Sequence, residues 1–275
     1  KTMTTTLPQT TLADSLEVTK IYSVAGVLPS SNPLIMNRPF RSPHHTASGV
    51  ALVGGGAWPK PGEISLAHRG VLFLDEFAEF PRSVLENLRQ PLEDGVISVS
   101  RASGTLNFPA KFIMVAAMNP CPCGYLNDNE KNCTCAPNQI IKYQKKISGP
   151  LLDRIDICVE VPKVKIEKLL STSDAEKSKV VRNRVQKART LQFKRFKNSG
   201  IITNAEMSSR QTKEFCQVDL QTTDLLRKAV DKLNLSARSY FRILKLARTI
   251  ADLDGQEKIS LTNVAEALQY RPKIE

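Results

Sequence analysis

The feature that most constrains this chain is the stretch Gly70-Val-Leu-Phe-Leu-Asp-Glu-Phe77. Four apolar residues in succession, stopped by two acids, do not alternate as a half-solvated strand would. They suit a strand buried on both faces, as in a parallel sheet covered by helices. The acid pair then falls at the carboxyl edge of that sheet, where α/β proteins build ligand sites. Phe112-Ile-Met-Val-Ala-Ala-Met118 is a second short apolar run, bounded by Asn119-Pro120.

The rest of the first 160 residues supports an α/β domain. A helical stretch lies near Leu12–Ala25, and Val84, Leu85, Leu88 and Leu92 recur at helical spacing. Gly54-Gly55-Gly56, within the glycine-rich segment 49–62, reads as a loop or hairpin tip because three glycines are poor in either regular structure. Val96–Ser100 alternates like a strand, Arg101–Gly104 has turn character, and a second strand runs through Leu106 and Phe108, which is a β-hairpin pattern. Beyond Pro162 the character changes. Ser173-x-x-Glu176 is a capping-box signal for a long helix, and 224–233, 239–253 and 262–268 each carry apolar residues at helical spacing. The division predicted is an α/β core over residues 1–162, with an insert hairpin near 50–66 and a second near 96–111, then an all-helical domain over 163–275. No internal repeat is present.

Net charge is +12, which favours an acidic partner such as nucleic acid but also describes a merely solvated basic surface. The nine Lys or Arg between Lys177 and Lys197 read mainly as a solvated helix face. No apolar run approaches the roughly 20 residues needed to span a bilayer. With no signal-peptide pattern at the start, the expected location is cytoplasmic, away from any membrane.

Four of the six cysteines, Cys121, Cys123, Cys133 and Cys135, fall within fifteen residues. Without an export signal such clustering points to metal before disulfides, and four thiolates suffice for a closed tetrahedral zinc site of structural kind. The alternative is a set of reduced, unliganded thiols in a surface loop. Cys158 and Cys216 stand apart and read as small buried hydrophobes.

The carboxylate pair has two readings as well. In phosphoryl transfer Asp75 would hold Mg²⁺ and Glu76 would polarise the attacking water; otherwise the two simply solvate a strand end. The chain opens Lys1-Thr2, and a phosphate loop ends in Gly-Lys-Thr, with lysine on the phosphates and hydroxyl on Mg²⁺. His44-His45 reads as a pair of hydrogen-bonded structural histidines, and Trp58 as an anchor for the glycine-rich insert, with base stacking the other option.

Taken together, Arg38-Pro-Phe-Arg-Ser-Pro-His-His45, Gly54–Ser65, Gly70–Phe77, Met118-Asn-Pro-Cys-Pro-Cys-Gly124 and Gly149-Pro-Leu-Leu-Asp-Arg-Ile-Asp156 resemble the magnesium-chelatase-related ATPases, most closely the competence-linked ComM/YifB group. The resemblance covers essentially the whole chain. It implies a P-loop AAA+ parallel-sheet core with a C-terminal all-helical lid, ATP and Mg²⁺ as cofactors, assembly into a homo-hexameric ring, and ATP-driven branch migration of DNA in recombination and natural transformation. By resemblance Lys1 and Thr2 are the last two phosphate-loop residues, and Asp75 is the magnesium ligand. Glu76 is the water-activating carboxylate, Asn119 the first sensor, Arg154 the arginine finger and Arg238 the second sensor. Both arginines suit phosphate work because guanidinium is permanently charged and binds through a fork. DNA contact is expected from two channel-facing hairpins carrying Lys60, Arg101 and Lys111, through phosphates and without sequence readout.

The family's cradle glycines and the strand feeding them are missing from these 275 residues. The resemblance therefore implies ATPase activity for the parent protein without extending it to this stretch alone. Two rivals remain: a chelatase ATPase subunit serving a porphyrin-metallating partner, and a zinc-stabilised interaction module without turnover.

Overall fold

The computed structural model describes residues 2–31, 33–56, 58–101, 104–128, 130–162, 176–197, 199–233 and 235–271. It divides into two compact units, Gln9–Arg154 and Thr2–Pro8 with Ile155–Glu275. The first is the α/β core; in the second, every regular element among the described residues is a helix.

In chain order, α1 (Thr2–Thr6) belongs to the second unit, and the first unit begins with α2 (Leu12–Ala25). Thr11 caps α2 by accepting from the Asp14 N–H, and Gly26, at φ 74°, ends it. Then follow β1 (Phe40–Arg41), α3 (Gly49–Val53), β2 (Gly54–Gly55), β3 (Lys60–Pro61), α4 (Glu63–Leu66) and β4 (Val71–Leu74). Next come α5 (Arg82–Glu86), α6 (Arg89–Asp94), β5 (Val96–Arg101), β6 (Gly104–Pro109), β7 (Ile113–Ala116), α7 (Pro137–Gln144) and α8 (Gly149–Leu152).

The sheet expected from Gly70–Phe77 is present: β1, β4 and β7 pair in parallel with β4 in the centre. Val71, Leu72 and Leu74 are fully buried, so the strand is held by burial as its composition requires. Gly70 lets two backbones meet, since a Cβ there would lie 2.1 Å from the Pro39 carbonyl oxygen. The helical spacing of Val84 to Leu92 is resolved into two short helices, α5 and α6, rather than one. Pro91 has no N–H and its ring would strike the carbonyl four residues back, so the helix restarts at Arg89. The expected hairpin is present as β5 and β6, with Val96 opposite Pro109 and Arg101 opposite Gly104, and it buries Ile97, Val99 and Phe108.

The second unit continues with α9 (Ser178–Arg195), α10 (Ser209–Phe215), α11 (Leu220–Leu233), α12 (Ala237–Leu253) and α13 (Leu261–Gln269). The helix expected after Ser173 starts at Ser178 with Lys177 as N-cap; Ser173 itself lies outside the described residues. Leu226, Ile243, Leu244, Ala247, Val264 and Ala267 form the core of this unit, with Cys216 among them, while Cys158 is only partly buried. Beside that core sits a buried polar knot. The Asp252 carboxylate accepts from Arg195 at 2.5 and 2.8 Å, from Asn204 at 2.8 Å and from Arg248 at 3.1 Å. Burial alone would raise the Asp252 pKa, but these donors hold it below the usual range. No described helix is long and apolar enough to cross a membrane.

Candidate nucleotide site and metal centre

The carboxylates leave the sheet where the sequence places them. β4 ends at Leu74, and the main chain stays tied to β7 as Ala117 N–H donates to Leu74 O and Phe77 N–H to Ala117 O. Asp75 and Glu76 are thus held at the carboxyl edge of the sheet, their side chains exposed while Phe77 beneath them is buried. Asp75 Oδ1 accepts the Glu76 N–H at 3.0 Å. Glu76 sits in the left-handed region at φ 50°, a conformation rare for non-glycine residues and costly unless its surroundings enforce it.

One partner of Glu76 escaped the sequence reading. His45 Nδ1 lies 2.6 Å from Glu76 Oε2. The His45 ring is fixed by His44 at 4.1 Å and by the edge of Phe80 at 6.4 Å. His44 in turn meets Thr46 Oγ1 at 2.9 Å. Both histidines are hydrogen-bonded, as expected, but one of the bonds goes to the residue assigned to catalysis. The only sequence signal was polarity just past β1, the strand beside β4.

Asn119 follows β7 by three residues at the same sheet edge and is exposed. Arg154, at the end of the first unit, is turned inward: its side chain is only 8% exposed, ion-paired with Glu93 and donating to Pro150 O at 2.6 Å. Arg238 is exposed on the first turn of α12, and Thr2 opens α1, both in the second unit. Lys1 lies outside the described residues. Asp75, Glu76 and Asn119 are therefore brought to one edge, while Thr2 and Arg238 belong to the other unit. Of the DNA-contact candidates, Lys60 is exposed on β3, and Lys111 is exposed with its stem over Gly95. Arg101 closes the second hairpin through its backbone, and its side chain lies outside the described residues.

Immediately after Asn119 the four cysteines converge. Their sulfurs all lie within 4.8 Å of one another. Cys121 is 3.4 Å from Cys123 and 3.7 Å from Cys133, and Cys123 is 3.5 Å from Cys133. Disulfide sulfurs would be ~2.05 Å apart, whereas a tetrahedron with Zn–S bonds of ~2.3 Å has sulfurs ~3.8 Å apart. The donor set therefore fits a zinc ion. Hydrogen bonds from the Tyr125 and Thr134 backbone pull the Cys123 thiol down to about 5. The Cys135 backbone favours the Cys133 thiolate, but burial and the sulfurs of Cys123 and Cys121 outweigh it and push Cys133 up to about 12.

A short parallel sheet with an acid pair at its carboxyl edge, an asparagine just past the neighbouring strand and a separate helical unit suits an AAA+-like ATPase architecture. Comparison with known proteins narrows the class. The family model for magnesium chelatase, subunit ChlI, matches residues 1–169, and that for its C-terminal region matches 175–271. The chain belongs to this AAA+ ATPase family. It is 46% identical to Competence protein ComM of Haemophilus influenzae over 99% of its length, and 43% identical to YifB of Escherichia coli over 96%. It spans about half the length of these relatives, 52% and 51%. A more distant similarity, 26% over 78% of the chain and 28% of the relative, is to an archaeal Lon protease of Methanocaldococcus jannaschii.

Proposed function

We propose that the protein is an ATP-driven motor that works on DNA, assembling as a hexameric ring and moving branched DNA during recombination. The observation that carries this reading is the carboxylate pair at the end of the buried central strand, with Glu76 gripped by His45 and Asn119 leaving the same edge. The likeness to a competence protein over nearly the whole chain supports DNA as the substrate, as does the net charge of +12.

In this reading Asp75 and Thr2 would each serve as Mg²⁺ ligands, and Lys1 would neutralise nucleotide phosphates. The metal would supply charge neutralisation at the transferred phosphoryl group. Glu76 accepts a proton from the attacking water, and the His45 hydrogen bond aims the carboxylate. Asn119 orients that water or reads the terminal phosphate. Arg154 leaves Glu93 to reach a neighbour's nucleotide, so that turnover requires assembly, and Arg238 is a second phosphate-binding arginine. Lys60, Arg101 and Lys111 neutralise DNA phosphates, which makes binding fall steeply with salt. Zinc on the four cysteines is structural, since four thiolates leave no coordination position for substrate, and it ties down the loop that begins at Asn119.

The test is nucleotide binding by titration calorimetry, comparing this chain with one extended at its N-terminus through a complete phosphate loop. The extended chain is expected to bind ATP. Its Glu76→Gln variant should bind ATP and assemble without turnover. If neither folded form binds nucleotide, the motor reading is wrong; if Glu76→Gln retains turnover, the role given to Glu76 is wrong.

A further inference from the structure

The insert between α3 and α4 is built in an unusual way. Its neck is rigid: Gly54 pairs with Pro61 and Gly55 with Lys60. The strands approach so closely that a Cβ at Gly54 would fall 2.3 Å from the Lys60 carbonyl oxygen, and one at Gly62 would fall 2.4 Å from Gly54 N and 2.5 Å from Leu52 O. Gly54, Pro61 and Gly62 are buried, and Leu52 below them is wholly so. Pro59 and Pro61 fix two further backbone angles, and the proline after Trp58 confines it to extended conformations. This stiff neck carries Trp58, which is 82% exposed. The expectation that Trp58 anchors the insert is thereby overturned, because the glycine neck does the anchoring and the indole points away from the core.

An exposed tryptophan leaves a large apolar surface in water, and the flat, polarisable ring face suits stacking. The charge around it selects what stacks. Residues 54–62 contain Lys60 and no carboxylate. Glu63, the nearest acid in sequence, is neutralised by a two-pronged pair with Arg41 at 2.6 and 2.6 Å. Among the described residues Lys60 has no carboxylate partner. An exposed aromatic face two residues from an exposed lysine, in a chain of net charge +12, matches a base stacked near a phosphate. Such a base must present an open face, which a duplex does not offer. We propose that Trp58, with Lys60, is a stacking site for unpaired bases, and that single-stranded nucleic acid is the form this loop grips. The proposal rests on the reading that the protein acts on nucleic acid.

The chain has one tryptophan, so Trp58 reports on itself. The experiment follows tryptophan emission, excited where tyrosine does not absorb, as the 275-residue chain is titrated with an oligothymidylate about 16 nucleotides long. The anisotropy of the same labelled oligonucleotide is followed in parallel, against a duplex of equal length. Expected are a rise in anisotropy accompanied by quenching with the single strand, and little quenching with the duplex. Trp58→Ala should weaken single-strand binding about five- to a hundredfold, and Trp58→Phe should restore most of it. Because the side chain is exposed, neither change should alter the unfolding midpoint. Binding without quenching, or equal quenching by duplex, overturns the stacking site alone and leaves DNA binding standing. Absence of any anisotropy change overturns the nucleic-acid reading as well. Quenching by an unfolded polypeptide in place of DNA, or emission that shifts with protein concentration alone, assigns Trp58 to a protein surface and refutes the proposal.

Discussion

Replacing Cys133 by Ser, or stripping metal with a chelator, tests the metal centre most directly. The sulfurs of Cys121, Cys123 and Cys133 are 3.4, 3.5 and 3.7 Å apart, slightly below the ~3.8 Å edge of a zinc–thiolate tetrahedron, and all four sulfurs lie within 4.8 Å of one another. Closing the site therefore requires sulfur movements of no more than about an ångström. Structural zinc sites of this kind are worth on the order of 10–16 kcal/mol of apparent binding at neutral pH. Most of that is spent ordering the loop rather than the sheet, so metal loss should melt the loop locally and leave the core folded. The sign of the pH dependence follows from the thiols. Cys133 and Cys135 are both raised, Cys133 to about 12, so at neutral pH zinc displaces their protons and its affinity rises with pH. Below about 5 Cys123 is protonated too, and metal release should steepen there. Metal analysis should find about one zinc per chain, and X-ray absorption should find sulfur at ~2.3 Å as the whole shell. Cys133→Ser should lower affinity by orders of magnitude while the circular dichroism of the folded core persists. A shell with nitrogen or oxygen in place of sulfur, or affinity unchanged between pH 8 and about 5, would refute the argument.

Three further outcomes are expected. Asp252→Asn leaves Arg195 and Arg248 facing each other in a buried site, and denaturant unfolding should show a loss of about 3–5 kcal/mol. Because the native Asp252 pKa is depressed, this stabilisation is present above the unfolded pKa and lost as pH falls through the folded one, so wild type and variant should converge in strong acid. Gly62→Ala drives a Cβ into the backbone of Gly54 and Leu52 and should cost about 1–3 kcal/mol or abolish the insert's fold, read as a lower melting temperature; an unchanged midpoint would contradict the tight neck. In an ATPase-competent longer chain, His45→Ala should lower kcat about tenfold with little change in KM for ATP, because it frees the Glu76 carboxylate without touching nucleotide. Equal kcat would make the pair merely structural.

The central strand, the helix over 12–25, the second hairpin and helices α9, α11, α12 and α13 were legible in the chain alone, whereas α10 was not. Each rests on a local rule: a continuous apolar run, apolar residues at helical spacing, alternation around a turn. The carboxylates at the strand end and the four clustered cysteines were legible for the same reason, since their chemistry depends on neighbours a few residues away. The break between α5 and α6 was also written locally, in Pro91, but apolar spacing masked it. What tertiary structure alone decided involves residues far apart in sequence. His45 reaches Glu76 only because β1 and β4 lie side by side, and Arg154 is turned onto Glu93 by packing that no spacing reveals. Trp58 is the clearest case. Sequence made it a large apolar ring beside glycines, which suits burial or display equally. Whether it is buried depends on what the neck can pack against, and the close approach of Gly54, Leu52 and Gly62 leaves no room beneath it.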